Sequence, residues 1–143
     1  MNTVGPGALR IFLVDDEKPA RVRLRQLLDD ISPRLPTQVV GEACDGADAL
    51  EQLTRSDVDV ALLDIRMPRL DGLQAAERIR AGRGPSAAAP IIALSAEPDE
   101  QGRAKALESG MDDFLTKPID AARLLTVAAR FTERPNPATF AGE

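Results

Sequence analysis

The stretch VALLDIRMPRLDG, residues 60–72, decides the fold because it joins a continuous apolar run to an acidic residue, a loop and a helix start. A strand that is apolar at every position is typical of a parallel sheet covered on both faces. Asp64 ends the run, and a carboxylate in that place must be paired, bound to a cation or hydrated. Asp71 follows the loop and is suited to cap a helix. The stretch therefore predicts a strand, a loop and a helix, with a carboxylate at the carboxyl end of the strand.

Further units of the same kind lie before and after this one. The predicted strands are residues 10–14, 39–43, 57–63, 91–94 and 114–115. The helices that follow them begin at or near Pro19, Asp45, Asp71, Pro98 and Asp120. Strands that alternate with helices in this way predict parallel βαβ units and an open α/β sheet with helices on both faces.

The first and last predicted helices are amphipathic. On the first helix we expect an inward stripe of Val22, Leu24, Leu27, Leu28 and Ile31. We interpret Arg21, Arg23 and Arg25 of the same helix as a solvated face. On the last helix the expected inward stripe is Leu124, Val127, Ala128 and Phe131, which leaves Ala122, Leu125 and Ala129 on an apolar outer face. Such a face suggests a docking surface for an effector or for a second copy of the chain.

Composition limits the function classes. The 143 residues are 43% hydrophobic, which is enough for one domain with its own core. The formal net charge of −5 argues against nucleic acid as a direct partner. The absence of histidine from the sequence excludes Ser-His-Asp catalysis, Cys-His catalysis and histidine-ligated zinc. Carboxylates, hydroxyls, lysine and the backbone are left to carry the chemistry.

The cellular compartment is predicted from cysteine use and from hydropathy. Cys44 is the single cysteine, so no internal disulfide can form, and we expect it to be a small buried apolar residue. The first residues lack the basic start and apolar core of a signal peptide, and no apolar run reaches membrane-spanning length. We therefore expect a cytoplasmic protein without a membrane partner.

Reactive side chains stand at the carboxyl ends of the predicted strands. They are Asp15 and Asp16 after the first strand, Asp64 after the third, Ser95 after the fourth and Lys117 after the fifth. Ligands of open α/β sheets bind beyond these ends, where the strand order reverses. With the order 2-1-3-4-5, the first and third strands are neighbours and the three carboxylates converge. Close carboxylates raise one another's pKa unless a cation lies among them, and Mg²⁺ suits such oxygen ligands.

This set of side chains indicates phosphoryl chemistry. A carboxylate beside a metal and a lysine, with no histidine base, suggests attack on phosphorus to give an aspartyl phosphate. Asp64 is the expected nucleophile, and Lys117 is the expected positive charge on the anion. A single aspartate at a strand end is more often a turn or cap residue, so the prediction depends on the whole set.

Four motifs, taken in order, resemble the receiver domain of two-component response regulators, the CheY-like superfamily. They are FLVDDE (12–17), LLDIRMPRLDG (62–72), IIALSA (91–96) and MDDFLTKPID (111–120). The resemblance implies a doubly wound, flavodoxin-like sheet of five parallel strands in the order 2-1-3-4-5 with five helices. It also implies a signalling domain of a phosphorelay rather than an enzyme. We expect an N-terminal extension over residues 1–8, the receiver over 9–131, and a tail or cut linker over 132–143.

The resemblance implies roles for the acidic residues. Asp64 would accept a phosphoryl group from the phosphohistidine of a sensor histidine kinase or phosphotransfer protein. Asp16, Asp64 and the carbonyl of Arg66 would hold Mg²⁺, with Asp15 next to the ion.

It implies further roles at the fourth and fifth strands. The Ser95 hydroxyl and the backbone N–H of Ala96 would hold phosphoryl oxygens, and Lys117 would pair with the phosphoryl group. The bond from Lys117 to Pro118 resembles the family's cis peptide. Phe114 resembles the aromatic switch residue that moves with Ser95, although a core phenylalanine explains it as well.

Two residues depart from or flank the family pattern. Arg66 is a long cation where many receivers carry a smaller residue, and Glu97 lies two residues after Ser95. Both positions resemble those that tune loss of the phosphoryl group. An ion pair between them is one hypothesis, and two separate surface side chains are the alternative.

Other function classes fit less well. A phosphohydrolase of the haloacid dehalogenase type would carry Asp-x-Asp at the first strand, where this chain has adjacent Asp15 and Asp16. A degenerate receiver that acts only as an interaction module would not need the intact acidic residues, Ser95 and Lys117. Whether the chain stands alone or belongs to a longer regulator or hybrid kinase stays open.

Overall fold

A parallel sheet runs through the part of the chain that the computed structural model describes, which is residues 8–66, 71–82, 84, 87–96 and 100–132. Its five strands lie in the order β2-β1-β3-β4-β5, which confirms the predicted topology. The strands are β1 (Leu9–Val14), β2 (Thr37–Ala43), β3 (Val60–Asp64), β4 (Ile91–Ser95) and β5 (Asp113–Thr116). The register pairs Val14 of β1 with Leu63 of β3, so these two strands end at the same level.

A helix follows each strand within the described residues. The helices are α1 (Lys18–Ile31), α2 (Gly46–Leu53), α3 (Gly72–Ala81), α4 (Glu100–Glu108) and α5 (Ala121–Thr132). The predicted caps are present, since the Asp45 carboxylate accepts the backbone N–H of Asp48 at 2.7 Å. Asp71 forms a reciprocal capping box with Gln74 at the start of α3. Polar cap residues therefore fix where α2 and α3 begin.

The core has two halves, one on each face of the sheet. Ile11 and Leu13 of β1 face the half that is covered by α1 and α5. Phe12 and Val14 face the half that is covered by α2, α3 and α4. Alternate residues of one strand thus enter opposite halves, as the pleat requires. Apolar side chains on both faces explain why the strands read as continuous apolar runs.

Several local predictions are wrong. The third strand begins at Val60 rather than at residue 57, because the Asp59 carboxylate accepts the backbone N–H of Arg10 at 2.8 Å in place of a strand partner. Val22 is 44% exposed, because two helical residues turn its side chain about 200° away from that of Leu24. Cys44 is exposed in the turn that follows β2, and not buried.

The outer face of α5 is less apolar than predicted. Leu124, Val127 and Ala128 are buried as expected. Leu125, which was expected on the outer face, packs against the same core cluster together with Phe131. Of the expected outer residues, Ala122 is exposed and Ala129 is partly buried. Among the described residues, no helix has both the length and the apolar character needed to cross a bilayer.

Arg80, in the last turn of α3, joins three segments at the amino end of the sheet. Its guanidinium donates to the carbonyls of Ala87, Ala89 and Gly110 at 2.9, 2.6 and 2.8 Å. It also contacts the Asp112 carboxylate at 2.7 Å, and that carboxylate accepts the backbone N–H of Ile91. The start of β4 and the end of α4 are therefore tied to α3 through one side chain.

We expect Arg80→Met to lower the free energy of unfolding by about 2–3 kcal/mol, because it leaves partly buried carbonyls and a carboxylate without their donor. Urea denaturation followed by far-ultraviolet circular dichroism measures this change. Arg55→Met is the matched control, because Arg55 pairs with Glu51 only at an exposed helix surface, and it should cost about 0.5 kcal/mol or less. Equal losses in the two variants would contradict the anchoring role of Arg80.

Candidate functional site

Three carboxylates meet at the carboxyl ends of the two central strands. Asp15 directly follows β1, and Asp64 is the last residue of β3. Carboxylate oxygens of Asp15, Asp16 and Asp64 lie within 4.8 Å of one another. Asp15 is 0% exposed and Asp64 is 6% exposed, whereas Asp16 is open to solvent. The sequence prediction that these acids converge is confirmed.

Lys117 joins two of these carboxylates from the end of β5. Its Nζ lies 3.0 Å from Asp15 Oδ2 and 3.5 Å from Asp64 Oδ2. Its backbone N–H donates to the carbonyl of Ser95 at 2.7 Å, which fixes the start of the loop after β5. The peptide bond from Lys117 to Pro118 is cis, as the resemblance implied.

Three carboxylates share one lysine in this cluster, and the pKa values of Asp64 and Lys117 are both shifted. Burial raises the pKa of Asp64, and the neighbouring Asp15 raises it further, against the opposing effects of Lys117 and of the Arg66 backbone N–H. Burial lowers the pKa of Lys117, but its contacts with Asp15 and Asp64 outweigh this and leave the pKa raised. The lysine therefore stays charged at neutral pH, and the cluster still favours an additional cation.

The residues present fit Mg²⁺. Asp15 has both oxygens engaged, since Oδ1 accepts the backbone N–H of Glu17 at 3.0 Å and Oδ2 contacts Lys117. Asp16 and Asp64 carry the other carboxylates of the cluster, and the exposure of Asp16 opens the cluster to solvent. Mg²⁺ binds through one or two carboxylates and keeps several waters, which agrees with a cluster that is half buried and half exposed.

Gly72 allows α3 to begin against the backbone of Asp64. A Cβ atom at this position would lie 2.4 Å from the Asp64 carbonyl oxygen and 2.6 Å from Ile65 Cα. The backbone N–H of Gly72 donates to the carbonyl of Ile65 at 3.2 Å. Glycine is thus needed here for close packing beside the acidic cluster, and the Asp-Gly pair at residues 71–72 is the sequence signal for it.

Ser95, Ala96 and Arg66 lie at the same edge of the sheet, whereas Phe114 lies within β5. Ser95 ends β4, is 3% exposed and pairs with Thr116 of β5. Ala96 follows it and is exposed. Arg66 is exposed, and its backbone N–H donates to Asp64 Oδ1 at 3.2 Å. Phe114 is half buried and packs against the core half on the side of α2, α3 and α4.

Two sequence predictions near the site are not confirmed, those for Glu97 and for Arg21. Glu97 falls outside the described residues, so its proposed pairing with Arg66 stays a prediction. Arg21 was assigned to a solvated face, but its guanidinium donates to the carbonyl of Asp15 at 2.7 Å. An arginine on an amphipathic helix gives no sequence signal of such a contact, because the contact depends on how the helix packs on the sheet.

Comparison with known proteins gives the family. The family model described as "Response regulator receiver domain" matches residues 11–129. The chain is 46% identical over 112 residues to the cyclic di-GMP phosphodiesterase response regulator RpfG of Xanthomonas campestris pv. campestris, with 78% of this chain and 28% of RpfG covered. This chain therefore belongs to the response regulator receiver domain family, whose members are signalling domains of two-component systems rather than catalytic enzymes.

Solved structures agree with this assignment. The receiver domain of a sensor histidine kinase of Pseudomonas aeruginosa, with magnesium coordinated in its active-site cleft, is 31% identical with a TM-score of 0.77, and the match covers 89% of this chain and 99% of that one. A chain of the CheX–CheY–BeF₃–Mg²⁺ complex of Borrelia burgdorferi is 27% identical with a TM-score of 0.75, and the match covers 86% and 89%. By contrast, the chain covers 28% of the length of RpfG, 14% of the sensor protein GacS of Pseudomonas syringae pv. syringae and 53% of the response regulator MprA of Mycobacterium leprae.

We expect Mg²⁺ to raise the melting temperature of the wild type and Asp16→Asn to abolish this increase. Free Mg²⁺ at ten times its Kd adds about 1.4 kcal/mol of stability by linkage, which corresponds to about 4 °C for a domain of this size. Without Mg²⁺, Asp16→Asn should melt at or above the wild-type temperature, because it removes a repulsive charge. Differential scanning calorimetry with and without a chelator makes the measurement.

Asp30→Asn is the control for this experiment, since Asp30 is an exposed acid on α1 outside the acidic cluster. It should retain the full response to Mg²⁺. The same increase in wild type and in Asp16→Asn would contradict magnesium binding at the cluster.

Proposed function

We propose that this chain is a phosphoacceptor domain in which Asp64 receives a phosphoryl group from the phosphohistidine of a sensor histidine kinase or phosphotransfer protein. The observation that carries the proposal is the contact of Lys117 Nζ with both Asp15 and Asp64 beside the acidic cluster. An ammonium so placed lies where the negative charge of an incoming phosphoryl group would arrive. Burial of Asp64 supports the same assignment, because it limits the access of water to the acyl phosphate.

The transfer exchanges one bond to phosphorus for another. An Asp64 carboxylate oxygen attacks phosphorus, the bond from phosphorus to the donor imidazole nitrogen breaks, and its electron pair returns to the imidazole. Lys117 pairs with the phosphoryl oxygens, and the Ser95 hydroxyl and the Ala96 N–H hold them. When bound, Mg²⁺ held by Asp16, Asp64 and the Arg66 carbonyl supplies neutralisation of the phosphoryl charge. Positioning and charge account for most of such catalysis.

A cavity beside the acids supports a protein donor. It has a volume of about 230 Å³ and lies between α1 and the loop after β5. Leu24, Leu27, Pro118 and Ile119 line it together with Asp15 and Lys117. An apolar recess next to the charged cluster suits a side chain of a docked protein better than a small polar donor. We therefore assign the sensor kinase or phosphotransfer protein to this side of the domain.

We propose that the phosphorylated state is read on the opposite side of β5. A cavity of about 390 Å³ lies between α4, β5 and α5, and Phe114 lines it. Movement of Ser95 toward the phosphoryl group, with Phe114 following, would change this surface, as the family resemblance implies. An effector or a second copy of the chain would bind there through α5. Arg66 and Glu97 would tune the lifetime of the phosphorylated state.

The remaining assignments complete this proposal. We propose that residues 9–131 form the receiver unit and that the protein acts in the cytoplasm. Lys117 in contact with two buried acids supports a working acceptor over a degenerate interaction module, because such a module has no need to bury these charges.

Incubation with Mg²⁺ and acetyl phosphate, followed by intact-mass measurement, tests the proposal. The wild type should gain one phosphoryl group, and Asp64→Asn should gain none because it lacks the nucleophile. Lys117→Met should be phosphorylated at least about tenfold more slowly, a loss typical of one charged contact to the transferred group. Asp30→Asn should behave as wild type.

Two outcomes would contradict the proposal. They are the absence of a mass gain in the wild type and the same mass gain in Asp64→Asn as in the wild type.

A further inference from the structure

Arg21 connects the acidic cluster to two other elements. It lies in the first turns of α1, and its side chain is 16% exposed. Its Nη1 donates to the backbone carbonyl of Asp15 at 2.7 Å. Its Nε contacts Glu42 Oε1 of β2 at 2.8 Å. One guanidinium thus ties α1 to the loop after β1 and to the neighbouring strand.

The contact with Asp15 completes the polar partners of that residue. The backbone N–H of Asp15 donates to the Ala43 carbonyl at 3.2 Å. Its Oδ1 accepts the N–H of Glu17, and its Oδ2 contacts Lys117. With its carbonyl held by Arg21, every polar group of this fully buried aspartate has a partner within the protein. Arg21 therefore holds the main chain of the residue whose carboxylate contacts Lys117.

Glu42 holds Arg21 in place. Its second oxygen, Oε2, contacts Nε of Arg25 one helical turn further along α1. Burial raises the pKa of Glu42, but its hydrogen bonds to Arg25 and Arg21 outweigh this effect and lower it. Glu42 is consequently ionised at neutral pH and pairs with both arginines. Arg25 shares this partner without touching Asp15, which makes it a natural control.

We propose that Arg21 is a positioning residue of the phosphoacceptor site, which fixes the Asp15 backbone so that the acidic cluster keeps its geometry for Mg²⁺ and for phosphoryl transfer. The effect on phosphoryl transfer rests on the proposed function, whereas the effect on Mg²⁺ binding does not. A hydrogen bond from a charged donor to a buried carbonyl is among the stronger single contacts in proteins.

The test compares Arg21→Met with Arg25→Met, since both lose a contact with Glu42 but only the first loses the contact with Asp15. Isothermal titration calorimetry gives the Kd for Mg²⁺, and intact mass gives the rate of phosphorylation by acetyl phosphate. We expect Arg21→Met to raise the Kd about five- to tenfold and to slow phosphorylation by a similar factor. Arg25→Met should stay within about twofold of wild type in both measurements.

A merely structural role would lower the melting temperature of both variants. It would leave the Kd for Mg²⁺ unchanged when the titration is done well below the melting temperature. Arg21→Lys adds a rescue test, because an ammonium can reach one partner but lacks the planar fork that spans Asp15 and Glu42. Its Kd should lie between those of wild type and Arg21→Met. If Arg21→Met does not fold, Arg21→Lys and Arg25→Lys provide the same comparison. We then expect a raised Kd for Mg²⁺ only in Arg21→Lys.

The outcomes separate this inference from the proposed function. Equal Mg²⁺ affinities in the Arg21 and Arg25 variants would overturn the positioning role, whether or not the protein is phosphorylated. Failure of the wild type to gain a phosphoryl group would overturn the proposed function, while the Mg²⁺ measurement would still decide the role of Arg21.

Discussion

The adjacency of β1 and β3 at the centre of a parallel sheet is the constraint on which the site depends. Parallel strands end on the same side, and the register brings the ends of β1 and β3 to one level. Asp15, Asp16 and Asp64 must therefore share a small volume. Burying two of these acids in an apolar core is costly unless opposite charges lie close. Lys117, which contacts both buried acids, meets that requirement.

The opposite charge comes from an element that is distant in the sequence, since Lys117 lies 102 residues after Asp15. Lys117 is brought back to the centre by β5, whose ladder with β4 continues into its backbone contact with Ser95. Arg21 arrives from α1 and meets both Asp15 and the edge strand β2. At the other end of the sheet, Arg80 anchors the segments around β4 and α4. Lys117 thus holds the acidic edge through a long-range contact, and Arg80 holds the opposite edge.

Much of this arrangement could be predicted from the sequence, because its signals are local. Continuous apolar runs mark strands buried on both faces, and Asp45 and Asp71 mark helix starts by their capping chemistry. The acids and Lys117 were found because strand ends of parallel sheets converge. The failures concern packing between elements. The roles of Arg21 and Leu125 depend on how a helix lies on the sheet, and the late start of β3 depends on a contact between Asp59 and Arg10.

Asp64 as the phosphoacceptor is tested most directly by a crystal structure of the protein with Mg²⁺ and beryllofluoride, a mimic of the phosphoryl group. We expect beryllium to be bonded to an Asp64 carboxylate oxygen, with Lys117 Nζ and the Ser95 hydroxyl in contact with its fluorides and Mg²⁺ on Asp16 and Asp64. We also expect Arg21 to stay on the Asp15 carbonyl. Beryllofluoride bound to a different acid, or Mg²⁺ bound away from the cluster in well-ordered crystals, would contradict the central claim that Asp64 is the phosphoacceptor.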